Sequence, residues 1–389
     1  MSLNICFDIS QTGSMKAGCG FYADSLISGL IKLNINKFQY KLLTHFGNFF
    51  FDSKLGINLK KYNNINVSYN ENIFIKDSSF KYWTDLNIEN KLNNPNIIHS
   101  NNYWCPQQLK KTKLVYTLYD TSIMENPDWS TEENRLGCFK GLFYSSIYAD
   151  HIIAISDFSK KSYLKTFPHF PEQNISVIYP FSRFEDYEYI DIKPSIFKNL
   201  LSNKFLLCVG TLEPRKNLDF LINIYANYLK YSNEKFPLVI AGGSGWKMDN
   251  FNSNIRNLGI GDKVILTGYI KDEEMAWLYK NCCINLYPSL FEGFGLPVLE
   301  GMKFGAPTIA SKSSSIVEIL QNKDCLLDPY DSEVWLESII KICNNNNLRN
   351  ALSNDALKNS KKFIPIESIS KLNNIYSSLS SQEKRLIHE

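Results

Sequence analysis

Nowhere in the chain does an apolar stretch approach the roughly 18 residues of a membrane-spanning helix, so no bilayer-embedded segment is expected. The opening MSLNICFDIS has neither the basic start nor the apolar core of a signal peptide and runs straight into a strand-like segment. Charge of one sign is missing too. The 42 Lys and Arg against 39 Asp and Glu leave a formal +3, which excludes the strongly basic field that nucleic acid would call for. Nine cysteines lack metal-type spacing, and the adjacent Cys282 and Cys283 are expected on opposite sides of a strand. They read as reduced core thiols of a cytoplasmic protein. The five histidines, His45, His99, His151, His169 and His388, are dispersed and read as structural, so no metal site is expected. No repeat shorter than a domain is visible, and the run Asn344 to Asn347 reads as loop composition.

What is present is an ordinary globular composition, 44% hydrophobic and 21% charged, over 389 residues, enough for two domains with a core each. Short apolar runs recur, each followed by a turn and a segment of helical period, as buried parallel strands require. In the first half they are NICFD, YKLLT, INVSY, NIIHS, KLVYTLYD and HIIAIS; in the second, KFLLCVG, PLVIAGG, KVILTG, INLYPS, PTIAS and a weaker CLLDP. Leu218, Leu221, Ile222, Tyr225 and Leu229 follow KFLLCVG at helical spacing, with Asn217 placed to cap the helix. The expected fold is therefore α/β, with two doubly wound parallel sheets facing across a cleft. Residues 1–185 form the first domain and 186–370 the second, the boundary falling where SVIYPFSRFEDYEYIDIKP loses its period. Residues 371–389 read as a helical tail that crosses back to the first domain.

Two stretches carry chemistry. In TLEPRKNLDF, Arg215 and Lys216 stand between a strand and a helix, where a guanidinium, an ammonium and helix N–H groups suit a phosphate; a solvated turn is the plain alternative. In FEGFGLPVLE, Pro297 starts a helix with Glu300 in its first turn and Glu292 in the loop before it. Gly293 and Gly295 let backbone approach a ligand there. Otherwise the two acids merely complement the helix dipole. Like charges in a partly dry site repel, so Glu292 and Glu300 are expected to face hydroxyls rather than a diphosphate. A carboxylate accepting from a sugar or ribose O–H gains about 1.5–3 kcal/mol per charge-assisted bond.

GTLEPRKN, AGGSGW, LTGYI, LYPSLFEGFGLPVLEGMKFGAP and SSSIVEIL, in that order, resemble the retaining glycosyltransferases of GT-B fold in the glycogen synthase-like and bacterial mannosyltransferase family. The resemblance covers the second half of the chain. It implies that Glu300 binds the nucleotide ribose, that Glu292 lies by the donor sugar, and that Arg215 and Lys216 neutralise the diphosphate. N–H groups around Phe294, Gly295 and Leu296 would bind sugar or phosphate oxygens, and Gly268, Tyr269 and Ile270 would hold the base. In the first half Gly18 and Gly20 of KAGCGFYADSL match the glycine loop that approaches the diphosphate, and Ser156 matches a strand-end serine that helix capping explains equally well. Tyr119, followed by Asp120, stands where many relatives have histidine; tyrosine can donate to donor sugar or acceptor but, at a reference pKa of about 10, is a poor base.

The implied activity is retaining transfer of a hexose, mannose from GDP-mannose first, to a hydroxyl of a glycan or lipid-linked saccharide. Glucosyl, galactosyl or rhamnosyl transfer are the near alternatives. The implied mechanism is front-face, with the nucleotide sugar as co-substrate and no metal. Tyr103 and Trp104 are acceptor-stacking candidates or core residues, and Lys110, Lys111, Lys113, Lys160, Lys161 and Lys165 are either solvated or in contact with anionic lipid at the inner membrane face. A carboxylate-pair hydrolase would leave Arg215 and Lys216 unexplained. A catalytically silent nucleotide-sugar binder stays open because of Tyr119. Base, sugar, linkage and oligomeric state are not encoded in any motif.

Overall fold

The computed structural model describes residues 2–13, 16–33, 38–44, 62, 67–69 and 82–382; His45 and His388 lie outside them. Each of the twelve apolar runs contains a strand. In the first half these are β1 (Asn4–Asp8), β2 (Gln39–Leu43), β3 (Val67–Tyr69), β4 (Ile97–Ser100), β5 (Lys113–Leu118) and β6 (His151–Ala154), joined by β7 (Ile175–Val177), which the hydrophobic pattern did not mark. In the second half they are β8 (Leu206–Val209), β9 (Leu238–Ala241), β10 (Val264–Gly268), β11 (Ile284–Tyr287), β12 (Thr308–Ser311) and β13 (Leu326–Leu327). Every pairing is parallel, in the orders β3-β2-β1-β4-β5-β6-β7 and β10-β9-β8-β11-β12-β13.

The central strands are continuous apolar runs because both faces of each sheet are covered. Every residue of β4, β5, β6, β8, β9, β11 and β12 is buried. Each such Leu, Ile or Val contributes about 1.5–3 kcal/mol through the water it leaves. Strand β10 lies at an edge, and Ile265 and Leu266 there are exposed.

The chain divides into two compact units. One comprises Met1–Glu125, Glu132–Phe181 and Ile364–Glu389; the other comprises Asn126–Thr131 and Ser182–Phe363. The main break between these units falls at 181/182, and the return begins at residue 364. The returning helix, Pro365–Ser380, packs on the helix Gly18–Leu33, where Ile369 closes on Gly29. Its Tyr376 hydroxyl meets His99 Nδ1, while His99 Nε2 meets Thr117 Oγ1 at 2.9 Å. Burial lowers the His99 pKa to about 3, so this histidine is neutral and structural.

Local expectations fail at four points. Asn217 does not cap the helix Leu218–Tyr231 with its side chain; it adopts φ +57 and donates to Pro329 O at 3.0 Å. Glu300 lies in the second turn, because its helix, Leu296–Lys303, starts one residue before Pro297. Cys282 ends the preceding helix and Cys283 comes just before β11, so they are not a strand pair. None of the nine cysteines forms a disulfide, and all but Cys19 are buried. Lys113 is no surface lysine: it is buried on β5, 3.5 Å from Asp150. Among the described residues no helix is long and apolar enough to cross a membrane.

The helix Gly18–Leu33 starts with a close approach that explains one of its glycines. A Cβ on Gly20 would lie 2.1 Å from the Gln11 carbonyl oxygen, whereas a Cβ on Gly18 would meet nothing within 4 Å. Gly20→Ala is therefore expected to destabilise the protein by about 1–3 kcal/mol, while Gly18→Ala leaves it unchanged or slightly more stable. Urea unfolding of both variants checks this, and equal effects would show that the packing at Gly20 is not limiting.

Candidate functional site

In an open parallel sheet a crevice forms beyond the carboxyl ends of the two strands between which the strand order reverses. In the second unit those strands are β8 and β11. After β8 the chain makes a single turn of 3-10 helix, Pro214–Lys216; after β11 it passes through Phe291 to Gly295 before the helix Leu296–Lys303. Arg215, Lys216 and Glu292 are therefore brought together by topology, 76 and 77 positions apart in sequence.

Their contacts are direct. Arg215 Nη1 donates to Glu292 Oε2 at 2.8 Å and to Phe291 O at 2.7 Å, and Lys216 Nζ donates to Glu292 Oε1 at 2.6 Å and to the Tyr287 hydroxyl at 3.1 Å. Arg215 Nη2 also pairs with Glu213, a buried acid in the same turn. Burial alone would raise the Glu292 pKa, but Arg215 and Lys216 overcome it and hold the carboxyl at about 2. The loop is pinned from behind: Glu292 N–H donates to Ser314 Oγ, and Ser315 Oγ donates to Glu292 O and Phe294 O. Gly295 turns the chain into the helix at φ +112, where a Cβ would come 2.6 Å from Ile316 Cδ1. The residues Gly293, Phe294, Gly295 and Leu296 thus form the buried or half-buried entry to that helix.

Glu300 is buried in a second cluster. Its Oε2 accepts from the Tyr279 hydroxyl at 3.1 Å and from Arg183 Nη2 at 3.4 Å, and Arg183 Nε lies 3.1 Å from Oε1. Burial raises its pKa above the ordinary carboxylate range, with Arg183 and the Tyr279 hydroxyl opposing. Gly268 ends β10 at φ +67, and the half-exposed Tyr269 after it lies within the electrostatic reach of both Arg183 and Glu300. Ile270 packs against the core beneath. The two acids therefore occupy different settings, Glu292 between two cations and Glu300 beside one arginine and a phenol.

The first sheet reverses between β1 and β4. There Asp8, fully buried, accepts from Ser10 N at 2.8 Å and Asn101 N at 3.1 Å; burial lifts its pKa to about 7 against those bonds. The Tyr119 hydroxyl donates to Asn101 O at 3.0 Å and Cys19 O at 3.2 Å, tying the start of the glycine-bearing helix to the end of β4. Burial pushes its pKa well above the usual tyrosine value, so it brings no base. Asp120 accepts from Ser122 N and Oγ, and Ser156 is a buried N-cap accepting from Ser159 N at 3.0 Å. The capping reading of Ser156 is the one its geometry fits. Trp104 packs against the core, while Lys160 and Lys161 are paired with Glu172 and Asp157. Glu213, Arg183, Tyr279, Tyr287 and Asp8 were not singled out from the sequence; an acid two positions before Arg215 was the one visible signal among them.

Two doubly wound parallel sheets, each with polar loops at its reversal point, define the GT-B architecture of glycosyltransferases. Residues 191–359 match the family described as group 1 glycosyl transferases, and this match together with the relatives that follow supports a hexosyltransferase. It is 28% identical to O-antigen chain mannosyltransferase B of Escherichia coli over 271 residues, 69% of this chain and 70% of that one. It is 29% identical to the serotype-specific mannosyltransferase WbdA of E. coli over 186 residues, 46% of this chain but only 23% of that protein's length. The crystal structure of Anabaena Alr3699/HepE in complex with UDP and glucose superposes with a TM-score of 0.69 at 18% identity, covering 97% of this chain and 100% of the other.

The Glu292 ion pairs set a pH dependence of stability. The folded pKa of about 2 lies below the ordinary 4.5, so the contribution is complete above pH 4.5 and disappears as pH falls toward 2. The shift corresponds to roughly 3 kcal/mol. Glu292→Gln is expected to lose about that much stability at pH 7, and the gap to the unsubstituted protein is expected to narrow by pH 3 in denaturant titrations. A gap of the same size at both pH values would contradict the ion-pair account.

Proposed function

We propose that this protein transfers mannose, with retention of anomeric configuration, from GDP-mannose to a hydroxyl of a growing glycan or lipid-linked saccharide. The observation that carries the proposal is the Arg215–Glu292–Lys216 cluster at the reversal of the second sheet, inside the group 1 glycosyl transferase domain. Mannose is favoured by the two E. coli relatives, both named as mannosyltransferases. In this reading Arg215 and Lys216 stabilise charge developing on the departing diphosphate, which is electrostatic catalysis. Because Glu292 holds both cations in place beforehand, no reorganisation is needed when that charge appears. The acceptor hydroxyl attacks the anomeric carbon on the face from which the nucleotide leaves, and its proton passes to a departing phosphate oxygen. No side-chain base is required. That suits the Tyr119 hydroxyl, which is bonded to backbone carbonyls. We assign Glu292 to the donor sugar, Glu300 to the ribose, Gly268 to Ile270 to the base, and the loops at Gly18 and Gly20 and at Phe294 to Leu296 to phosphate or sugar oxygens. Cations already at the diphosphate make a divalent metal unnecessary. We place the reaction in the cytoplasm, at or near the inner face of a membrane when the acceptor is lipid-linked.

Thermal-shift measurements with UDP, GDP, ADP and dTDP are expected to give the largest shift with GDP, about 2.7 kcal/mol at 100 times its dissociation constant. With GDP-mannose and a glycan acceptor, GDP release and an α-linked product are expected in EDTA; loss of turnover on chelation, restored by magnesium or manganese, would count against the metal-free mechanism.

Calorimetry separates the two acids. Glu300→Ala is expected to weaken GDP binding about tenfold or more, the loss of one or two charge-assisted bonds. Glu292→Gln should leave binding of bare GDP unchanged or tighter, since it relieves Arg215 and Lys216 of their counter-charge, while turnover falls by about a hundredfold. Equal GDP affinities in the two variants would overturn this division.

A further inference from the structure

The acid that the proposed function assigns to the ribose is not free to turn. Of its two oxygens, Oε2 accepts two hydrogen bonds, from Tyr279 at 3.1 Å and from Arg183 Nη2 at 3.4 Å, which fills both of its acceptor positions. Among the described residues Oε1 has the ion-pair contact with Arg183 Nε at 3.1 Å and accepts no hydrogen bond. The clamp is itself rigid. The Arg183 side chain is 12% exposed, its Nη1 lies 3.2 Å from Asp272 Oδ1, and its guanidinium sits 4.8 Å from the centre of the Phe184 ring. The Tyr279 ring stacks on Phe304, their centres 6.1 Å apart.

We infer that Arg183, acting with Tyr279, is a positioning residue for nucleoside recognition: together they occupy Oε2 of Glu300 and fix Oε1 as the one acceptor offered to a vicinal diol. The inference rests on the reading of Glu300 as the ribose acid and adds to it the residues that determine how it binds. A carboxylate on a free rotor would meet two adjacent hydroxyls in many geometries. One with an oxygen already saturated presents a single, oriented acceptor, and the entropy of ordering it has been lost before the ligand arrives. Arg183 suits this task because its planar fork spans both carboxylate oxygens, which a lysine cannot do. It is also the group that joins Glu300 to Asp272 and to the neighbourhood of Tyr269, so the ribose acid and the loop after β10 share one anchor.

The test compares GDP with its 2′,3′-dideoxy analogue by calorimetry, with inorganic pyrophosphate as a control for the phosphate site. The unsubstituted protein is expected to prefer GDP by about tenfold or more. In Arg183→Met that ratio is expected to collapse toward one while pyrophosphate affinity stays within about threefold. Tyr279→Phe keeps the stacked ring and removes one hydroxyl, so it tests the same point in a variant chosen to fold; its ratio should fall to an intermediate value. Arg183→Lys should recover only part of the preference. If either Arg183→Met or Tyr279→Phe melts lower yet keeps the full GDP preference, the clamp is a structural brace and the inference is overturned. If the unsubstituted protein binds GDP but ignores the hydroxyls, the assignment of Glu300 to ribose fails along with it. If it binds no nucleoside diphosphate, the proposed function itself fails.

Discussion

Glu292 is the centre of the candidate site, because one carboxylate bonds two cations that come from a different strand's end. Its oxygens take one partner each, Arg215 and Lys216, and the three groups can meet only because β8 and β11 are hydrogen-bonded neighbours. Two buried cations without an acid would repel one another and carry a desolvation cost of several kcal/mol. With it they become a rigid, nearly neutral plate when Glu213 is included. In the proposed function such a plate serves an anion whose charge grows during the reaction, because its dipoles are already aimed.

The two sheets treat their reversal points in opposite ways. In the second unit the carboxyl ends of the central strands gather formal charge. In the first unit they gather neutral hydrogen bonds: Asp8 accepts from backbone, Asn101 donates to Asp8 O, and Tyr119 and Gln11 both donate to Asn101 O. One end is built to respond to charge, the other to keep loops closely packed. The glycines follow the same division. Gly20 lies against the Gln11 carbonyl because the loop is drawn tight, whereas Gly295 turns the chain into a helix behind Glu292.

Much of the fold was legible in the sequence because strands buried on both faces must be apolar throughout, and twelve runs stood out for that reason. Strand β7 did not: it has three residues, of which only Ile175 is buried, so it leaves almost no hydrophobic signature. Loss of period marks a linker, yet that reading hid Arg183, which looked like linker charge and is paired with Glu300 with its side chain only 12% exposed. The candidate residues Arg215, Lys216, Glu292 and Glu300 were named from motif order, but the partners the structure gives them were not. Tyr279 reads as a core aromatic and Asp8 as a strand end, and nothing short of the tertiary structure reveals that each sits beside a titratable or polar group. Asn217 has the right side chain for a helix cap, and its left-handed backbone uses that side chain to bind Pro329 O instead.

The helix Pro365–Ser380 belongs to a unit whose other segments are translated before most of the second unit. Until it emerges, His99 lacks its Tyr376 partner and the helix bearing Gly29 has one flank uncovered, although the sheet beneath is already made. The intervening unit, nearly continuous in sequence, has all but one short segment of itself in a single span and can close while the tail is still being synthesised. Completion of the first unit thus waits for residues 364–380, and a nascent chain that halts before them leaves an open surface on a portion already translated.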